Sequence, residues 1–273
     1  MLAHTVLPGR RGRYAVFIHG LFGRGSNFRT PAQAISDLAT PILIDLPNHG
    51  SSLWTESADL VEWASMVVDT MASLGAVGEN TTVIGHSLGA RIAMIAALTH
   101  PDAFGKVLIG DMSAVDYPLD EYFMRFVELM KAIPLDELVS RKQASDILAD
   151  EIRSESVRAF LLQNLRRLSC SESAPPNVKV SSRGWFWQPN LDLFERELSS
   201  LGRWPAIKGV FAGPAWWIGG GRSSYVRDAY QATMRQYFPK LRKLIIHNAG
   251  HWIHADQPAI FTTIVKELIV TPT

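Results

Sequence analysis

Short apolar runs alternate with longer amphipathic stretches through the first 112 residues. Tyr14–His19 (YAVFIH), Ile42–Leu46 (ILIDL), Thr82–Gly85 (TVIG) and Lys106–Asp111 (KVLIGD) are short and rich in β-branched or aromatic side chains. Each predicts a buried strand. Between them, Leu60, Trp63, Met66, Val67 and Met71 recur at helical spacing and predict a helix from about Asp59 to Leu74. A second helix is expected just after Ser87, running on through Arg91–Thr99. Strand, helix, strand, helix in this order predicts a mainly parallel sheet with helices on both faces.

The pattern changes after Asp111. From about Leu119 to Leu201 no run reads as a strand. Tyr122–Lys131, Ser145–Arg153 and Glu155–Leu168 instead carry apolar residues three and four apart, and Pro175–Pro176 and Gly184 punctuate them. Strand signals return at Ala215–Ile218 and Leu241–His247, and a helix from about Pro258 to Val270 closes the chain. The expected organisation is a discontinuous α/β core, residues 1–112 and 205–273, with a helical cap or lid at 113–204.

Composition narrows the function classes. Lys plus Arg is 27 and Asp plus Glu is 26, a formal net charge of +1. That balance gives no support to nucleic-acid binding, which needs a basic patch to displace counterions. A single cysteine, Cys170, excludes an intramolecular disulfide and a multi-cysteine metal site; it reads as a small buried or half-buried hydrophobe. No metal site is expected. No run approaches 18 uninterrupted apolar residues, so no transmembrane helix is expected. The first 13 residues lack the apolar stretch of a secretory signal, and the expected location is cytoplasmic. Arg10, Arg11 and Arg13 read as a solvated basic face.

Candidate chemistry gathers at the ends of the strand runs. Gly85-His86-Ser87-Leu88-Gly89 fits G-x-S-x-G between a strand and a helix. A sharp turn there lifts the central side chain out of the sheet, and small residues two positions either side let the backbones approach. Ser87 is therefore the candidate nucleophile. His19-Gly20-Leu21-Phe22-Gly23 follows the first long strand run. A turn there can aim the Leu21 N–H at the same point as the Leu88 N–H, giving two donors for a tetrahedral oxyanion. A serine needs a base, and imidazole suits neutral pH. Of 8 histidines, His251 in Asn248-Ala249-Gly250-His251-Trp252 lies just after the last strand run, where ligands of open α/β sheets bind. His254 is the fallback. His86 is expected to point into the core, and His49 to pack its own loop. His4, His100 and His247 have no constellation around them. An acid should orient the imidazole. Asp111, at the end of a core strand run, is the first choice and Asp228 the second, since the order Ser, Asp, His fits both.

These motifs together resemble the α/β-hydrolase superfamily, and within it the family of alpha/beta hydrolase domain-containing protein 11 with its small bacterial esterase relatives. The matching stretches are FIHGLFGRGSNF, DLPNHGSS, GHSLGA, GDMSAVDYP, GGGRSSYV and NAGHWIHADQP. They run through nearly the whole chain outside the lid. The resemblance implies an α/β-hydrolase fold, with the lid inserted after the sixth strand in the family's count. It implies a triad of Ser87, Asp111 and His251, and a serine esterase or thioesterase without cofactor. Two departures stand out: Pro47 before Asn-His-Gly, and the aromatic stretch Pro214-Ala215-Trp216-Trp217.

The expected substrate is a small-molecule ester with an apolar acyl or alkyl group of short to medium length. Candidate pocket walls are Phe22, Tyr117, Phe123, Trp185 and Trp187. Lid aromatics equally serve as the lid's own small core. A dehalogenase or epoxide hydrolase would want an aspartate at the elbow. A carbon–carbon hydrolase, a lipid amidase, a perhydrolase or a non-turnover ligand sensor could carry the same triad. The chain is expected to act as a monomer or homodimer.

Overall fold

The computed structural model describes residues 1–118, 121–168 and 178–273. Cys170 and Pro175–Pro176 lie outside the described residues.

Seven strands form one sheet: β1 (His4–Val6), β2 (Tyr14–Ile18), β3 (Thr40–Ile44), β4 (Gly78–His86), β5 (Phe104–Gly110), β8 (Ala215–Gly220) and β9 (Leu241–Ile246). A separate hairpin pairs β6 (Leu165–Arg167) with β7 (Trp185–Trp187). The sheet order is β1-β3-β2-β4-β5-β8-β9, and every pairing is parallel except β1 with β3. β5 and β8 are buried at every position, as strands covered on both faces must be.

Successive residues along each strand enter opposite cores. Val16 and Ile18 join one apolar cluster, while Ala15 and Phe17 join the other. Val107 and Ile109 divide from Leu108 in the same way, and Trp217 from Trp216. The second cluster is closed by α1 (Arg29–Gln33) and α10 (Pro258–Val270) through Ala32, Phe261, Val265 and Leu268. The first is closed by α2 (Leu60–Ser73) and α3 (Leu88–Thr99). Asp59 starts α2 by accepting the Val61 and Glu62 N–H groups on its side chain, and Trp63, Val67 and Met71 then face the sheet.

Between β5 and β8 the chain adds α4 (Glu121–Ala132), α5 (Arg141–Leu148), α6 (Glu155–Leu162), the β6–β7 hairpin and α7 (Leu191–Leu201). The strand before this segment is the fifth in the chain's own order. The hairpin adds strands to a segment expected to be mostly helical: they are three residues each, too short for a period-two pattern to register. β1 was likewise invisible, being a short, largely exposed edge strand. Two short helices complete the core, α8 (Gln231–Tyr237) and α9 (Ile253–Asp256).

Parallel register decides where chemistry collects. Ile18 sits opposite Gly85, His86 opposite Gly110, and Gly110 opposite Ile218. The loops that leave β2, β4, β5, β8 and β9 therefore emerge side by side at one edge of the sheet.

Candidate active site

Ser87 occupies the turn between β4 and α3 with φ +53° and ψ −120°. A non-glycine residue held there is strained by about 1–3 kcal/mol. The flanking glycines make the turn possible. A Cβ on Gly85 would overlap the Gly89 carbonyl oxygen and the Ala90 Cα, and one on Gly89 would overlap the Ile18 and His19 carbonyl oxygens. The Ser87 N–H donates to the Gly110 carbonyl at 2.8 Å, tying the turn to the neighbouring strand.

His251 reaches this turn from the loop after β9. Its Nε2 lies 2.9 Å from Ser87 Oγ, and its Nδ1 lies 2.7 Å from Asp111 Oδ2. Asp111 follows β5, is fully buried and holds φ +46°. Its N–H donates to the Ile218 carbonyl at 2.7 Å, which anchors it to β8. Its Oδ1 accepts the Gly220 N–H at 2.9 Å, and its Oδ2 also accepts the Ser223 hydroxyl at 2.5 Å. These two bonds hold the carboxylate in place against His251. Asp228 stands elsewhere, exposed and paired with Lys243 at 2.5 Å. Among the described residues His254 makes no hydrogen bond to Ser87; it packs against Phe28 and His86, and its Nδ1 is buried without a partner.

Three further histidines brace the site as neutral groups. The His86 Nε2–H donates to the His251 carbonyl at 2.7 Å, fixing the loop that carries His251. His19 donates from Nδ1 to the Gly20 carbonyl at 2.8 Å and accepts the Leu46 N–H on Nε2 at 3.0 Å. His49 donates from Nδ1 to the Pro47 carbonyl at 2.9 Å and accepts the Phe22 N–H on Nε2 at 3.1 Å. A carbonyl on one nitrogen and an N–H on the other fix each tautomer. Burial pushes His19 down to about 4 and His49 down to about 3. It also lowers His86 well below the ordinary range, with His254 and His251 adding to the effect.

A cavity of about 80 Å³ adjoins Ser87. Leu21, Leu88, Met112, Tyr117, Phe123 and Leu201 are among its walls. Phe22, Trp185 and Trp187 are not. Phe22 is fully buried against Phe123 and Phe194. Trp185 is buried in the hairpin, donating its indole N–H to the Leu138 carbonyl at 2.8 Å. Trp187 faces a different cavity, beside Trp54 and Lys131. Aromatic content marks the segment inserted between β5 and β8 as packed without telling which rings face the sheet.

One wall residue had no signal beyond its helical phase. Arg91 lies one helical turn after Ser87 and is buried. Its guanidinium donates to the Val115 and Gly202 carbonyls at 3.2 Å each and lies over the Tyr117 and Trp204 rings. Burial lowers it to about 10, and among the described residues it has no carboxylate within ion-pair distance. It ties the chain leaving β5 and the chain returning from α7 to α3, the helix that begins next to Ser87.

The arrangement pairs an alcohol with a base and the base with a buried carboxylate, beside an apolar cavity. Residues 15–263 match the model of the Alpha/beta hydrolase family. The chain belongs to that family. It is 30% identical to the sn-1-specific diacylglycerol lipase ABHD11 of Mus musculus, covering 98% of this chain and 85% of the relative. It is 28% identical to Esterase YbfF of Escherichia coli, covering 89% and 87% respectively. A solved structure described as a marine microorganism esterase superposes with a TM-score of 0.88 at 27% identity, covering 98% of both chains. This alpha/beta hydrolase is a carboxylic ester hydrolase. Among its described residues no helix is long and apolar enough to cross a membrane, and no group of three or more His, Cys, Asp or Glu could hold a metal ion.

Proposed function

We propose that the protein cleaves carboxylic esters or thioesters with a short to medium apolar acyl group through an acyl-enzyme on Ser87. His251 takes the Ser87 proton as the hydroxyl attacks the carbonyl carbon. The Leu21 and Leu88 N–H groups stabilise the oxyanion, a contribution worth about 10²–10³ in rate per donor. His251 then gives its proton to the leaving alcohol or thiol, and a water repeats the sequence to release the acid. Asp111 stays ionised and holds the imidazole tautomer. The substrate is a small molecule and the reaction uses no cofactor. Residues 113–204 act as the lid that roofs the acyl cavity.

The observation that carries this reading is the continuous chain from Ser87 Oγ through His251 to Asp111, at 2.9 Å and 2.7 Å. The cavity of about 80 Å³ beside it favours a short acyl group. The test is turnover of p-nitrophenyl acetate, butyrate and octanoate by wild type and Ser87→Ala. Wild type should turn over many equivalents, with the shorter chains preferred, and the variant should lose at least about 10³-fold. No turnover beyond one equivalent would replace this reading with that of a ligand sensor on a hydrolase fold, and equal rates in the two proteins would remove Ser87 from its role.

A further inference from the structure

The loop that follows β2 contains a costly feature that the catalytic chain does not explain. The Gly23 N–H donates to the Gly20 carbonyl at 2.9 Å, closing a turn with Leu21 and Phe22 at its centre. Phe22, at the third position, has φ +57°. A turn with positive φ at that position ordinarily takes glycine or asparagine there, because a Cβ is strained. A phenylalanine holds the conformation only if its surroundings over-determine it.

Three contacts do so. The Phe22 N–H donates to His49 Nε2 at 3.1 Å, and the Phe22 carbonyl accepts from Asn164 Nδ2 at 2.7 Å. The Phe22 ring is buried against Phe123 of α4 and Phe194 of α7. His49 cannot turn away, because its Nδ1–H is engaged by the Pro47 carbonyl and its ring packs on Phe194. Asn164 is fully buried and belongs to the segment inserted between β5 and β8. It is built into that segment on both sides: its Nδ2 also donates to the Leu161 carbonyl at 3.2 Å, and its backbone carbonyl accepts the Gln188 N–H at 3.0 Å. The same seam carries a second bond one residue earlier, from Asn27 Nδ2 to Gln163 Oε1 at 2.8 Å. The two peptide groups so held flank Phe22, and the first of them adjoins the peptide that carries the Leu21 N–H.

We infer that His49 and Asn164 are positioning residues for the oxyanion hole, gripping Phe22 by its N–H and its carbonyl so that the Leu21 N–H points at the reacting oxygen. The inserted segment is then more than a roof over the acyl cavity. One of the two oxyanion donors is aimed correctly only while Asn164 is seated, so the inserted segment completes the hole. The inference rests on the reading of Leu21 as an oxyanion donor. It predicts that loss of either grip weakens transition-state binding and leaves ground-state binding nearly intact.

The test uses four proteins: wild type, Asn164→Asp, His49→Phe and His49→Gln. Asn164→Asp keeps the size of the side chain and removes the donor. His49→Phe keeps a ring and removes the acceptor, while His49→Gln restores an acceptor oxygen near the lost nitrogen. For each, kcat and KM are measured with p-nitrophenyl butyrate, together with the inhibition constant of a trifluoromethyl ketone, whose adduct with serine bears an oxyanion. Folding is checked by thermal melting. Asn164→Asp and His49→Phe should lower kcat by about 10–100-fold with KM changed less than about threefold, and should weaken the ketone in parallel. His49→Gln should recover most of the loss. Unchanged kcat in folded variants overturns the inference, as does a fall in kcat with ketone affinity retained. So does a glutamine as impaired as the phenylalanine. If Asn164→Asp does not fold, the two His49 variants decide alone. Failure of the parent reading is separate: wild type itself would neither turn over the ester nor bind the ketone.

Discussion

Acid should unfold this protein at an unusually mild pH, because its site is braced by buried neutral histidines. His19 is held down at about 4 and His49 at about 3, both by burial. In the unfolded chain each titrates near 6.5. Below 6.5 the unfolded state binds a proton that the folded state refuses, so stability falls as pH falls. The loss continues until the folded values are reached. At pH 5 the linkage relation gives about 2 kcal/mol for each of the two, or about 4 kcal/mol together, relative to pH 8. His86 and His254 are lowered in the same direction and add to the loss. That is a large part of the 5–15 kcal/mol of a typical domain. The rings of His19 and His49 lie 5.1 Å apart, so charging one opposes charging the other, and unfolding is the route by which both accept protons. Urea midpoints from pH 8 to pH 5 test this. Between pH 6 and 5 the stability slope should correspond to about three to four protons taken up on unfolding, at 1.36 kcal/mol per pH unit per proton. His49→Gln should remove about one of them. A slope below one proton, or an unchanged slope in that variant, would refute the assignment of these histidines as neutral braces.

Other perturbations separate the groups more sharply. Asp111→Asn should lower kcat by about 10³–10⁴-fold, since the imidazole loses the partner that fixes its tautomer. Asp228→Asn should stay within about twofold, its carboxylate being exposed and paired only with Lys243; steady-state kinetics on both would reverse the assignment if only the second collapsed. Gly89→Ala should destabilise the fold by at least about 2 kcal/mol in urea titrations, because the added methyl meets the Ile18 and His19 carbonyl oxygens. Leu201→Phe should narrow the cavity beside Ser87 and cut kcat/KM for butyrate about tenfold more than for acetate. Equal losses on the two esters would place the acyl group elsewhere.

What the sequence made legible and what it hid divide along the range of the interactions. The Ser87 turn is written locally: its strain demands small residues at 85 and 89, and those demands sit within five letters. His251 is legible nearly as directly, since it follows the last apolar run at the edge where parallel strands end. The acid is harder, because chain order admits both Asp111 and Asp228. Only the lateral order β5-β8-β9 brings the Gly220 N–H and the Ser223 hydroxyl to Asp111 and leaves Asp228 facing solvent. Sheet order is a non-local property, so no spacing within one segment encodes it. The lid shows the same limit more strongly. Trp185 and Trp187 carried the most conspicuous apolar signal in it, yet neither lines the cavity beside Ser87.

Asn164 is the extreme case. A buried asparagine between a helix and a three-residue strand has no local pattern at all, and its bond to Phe22 spans 142 residues of chain. The positive φ at Phe22 gives the only hint, and that is a property of coordinates. Local rules point to Ser87 because the turn's strain must be relieved by its neighbours in sequence. The strain at Phe22 is relieved by neighbours in space, which is why the residues that hold its turn emerge only when the two parts of the chain are seen together.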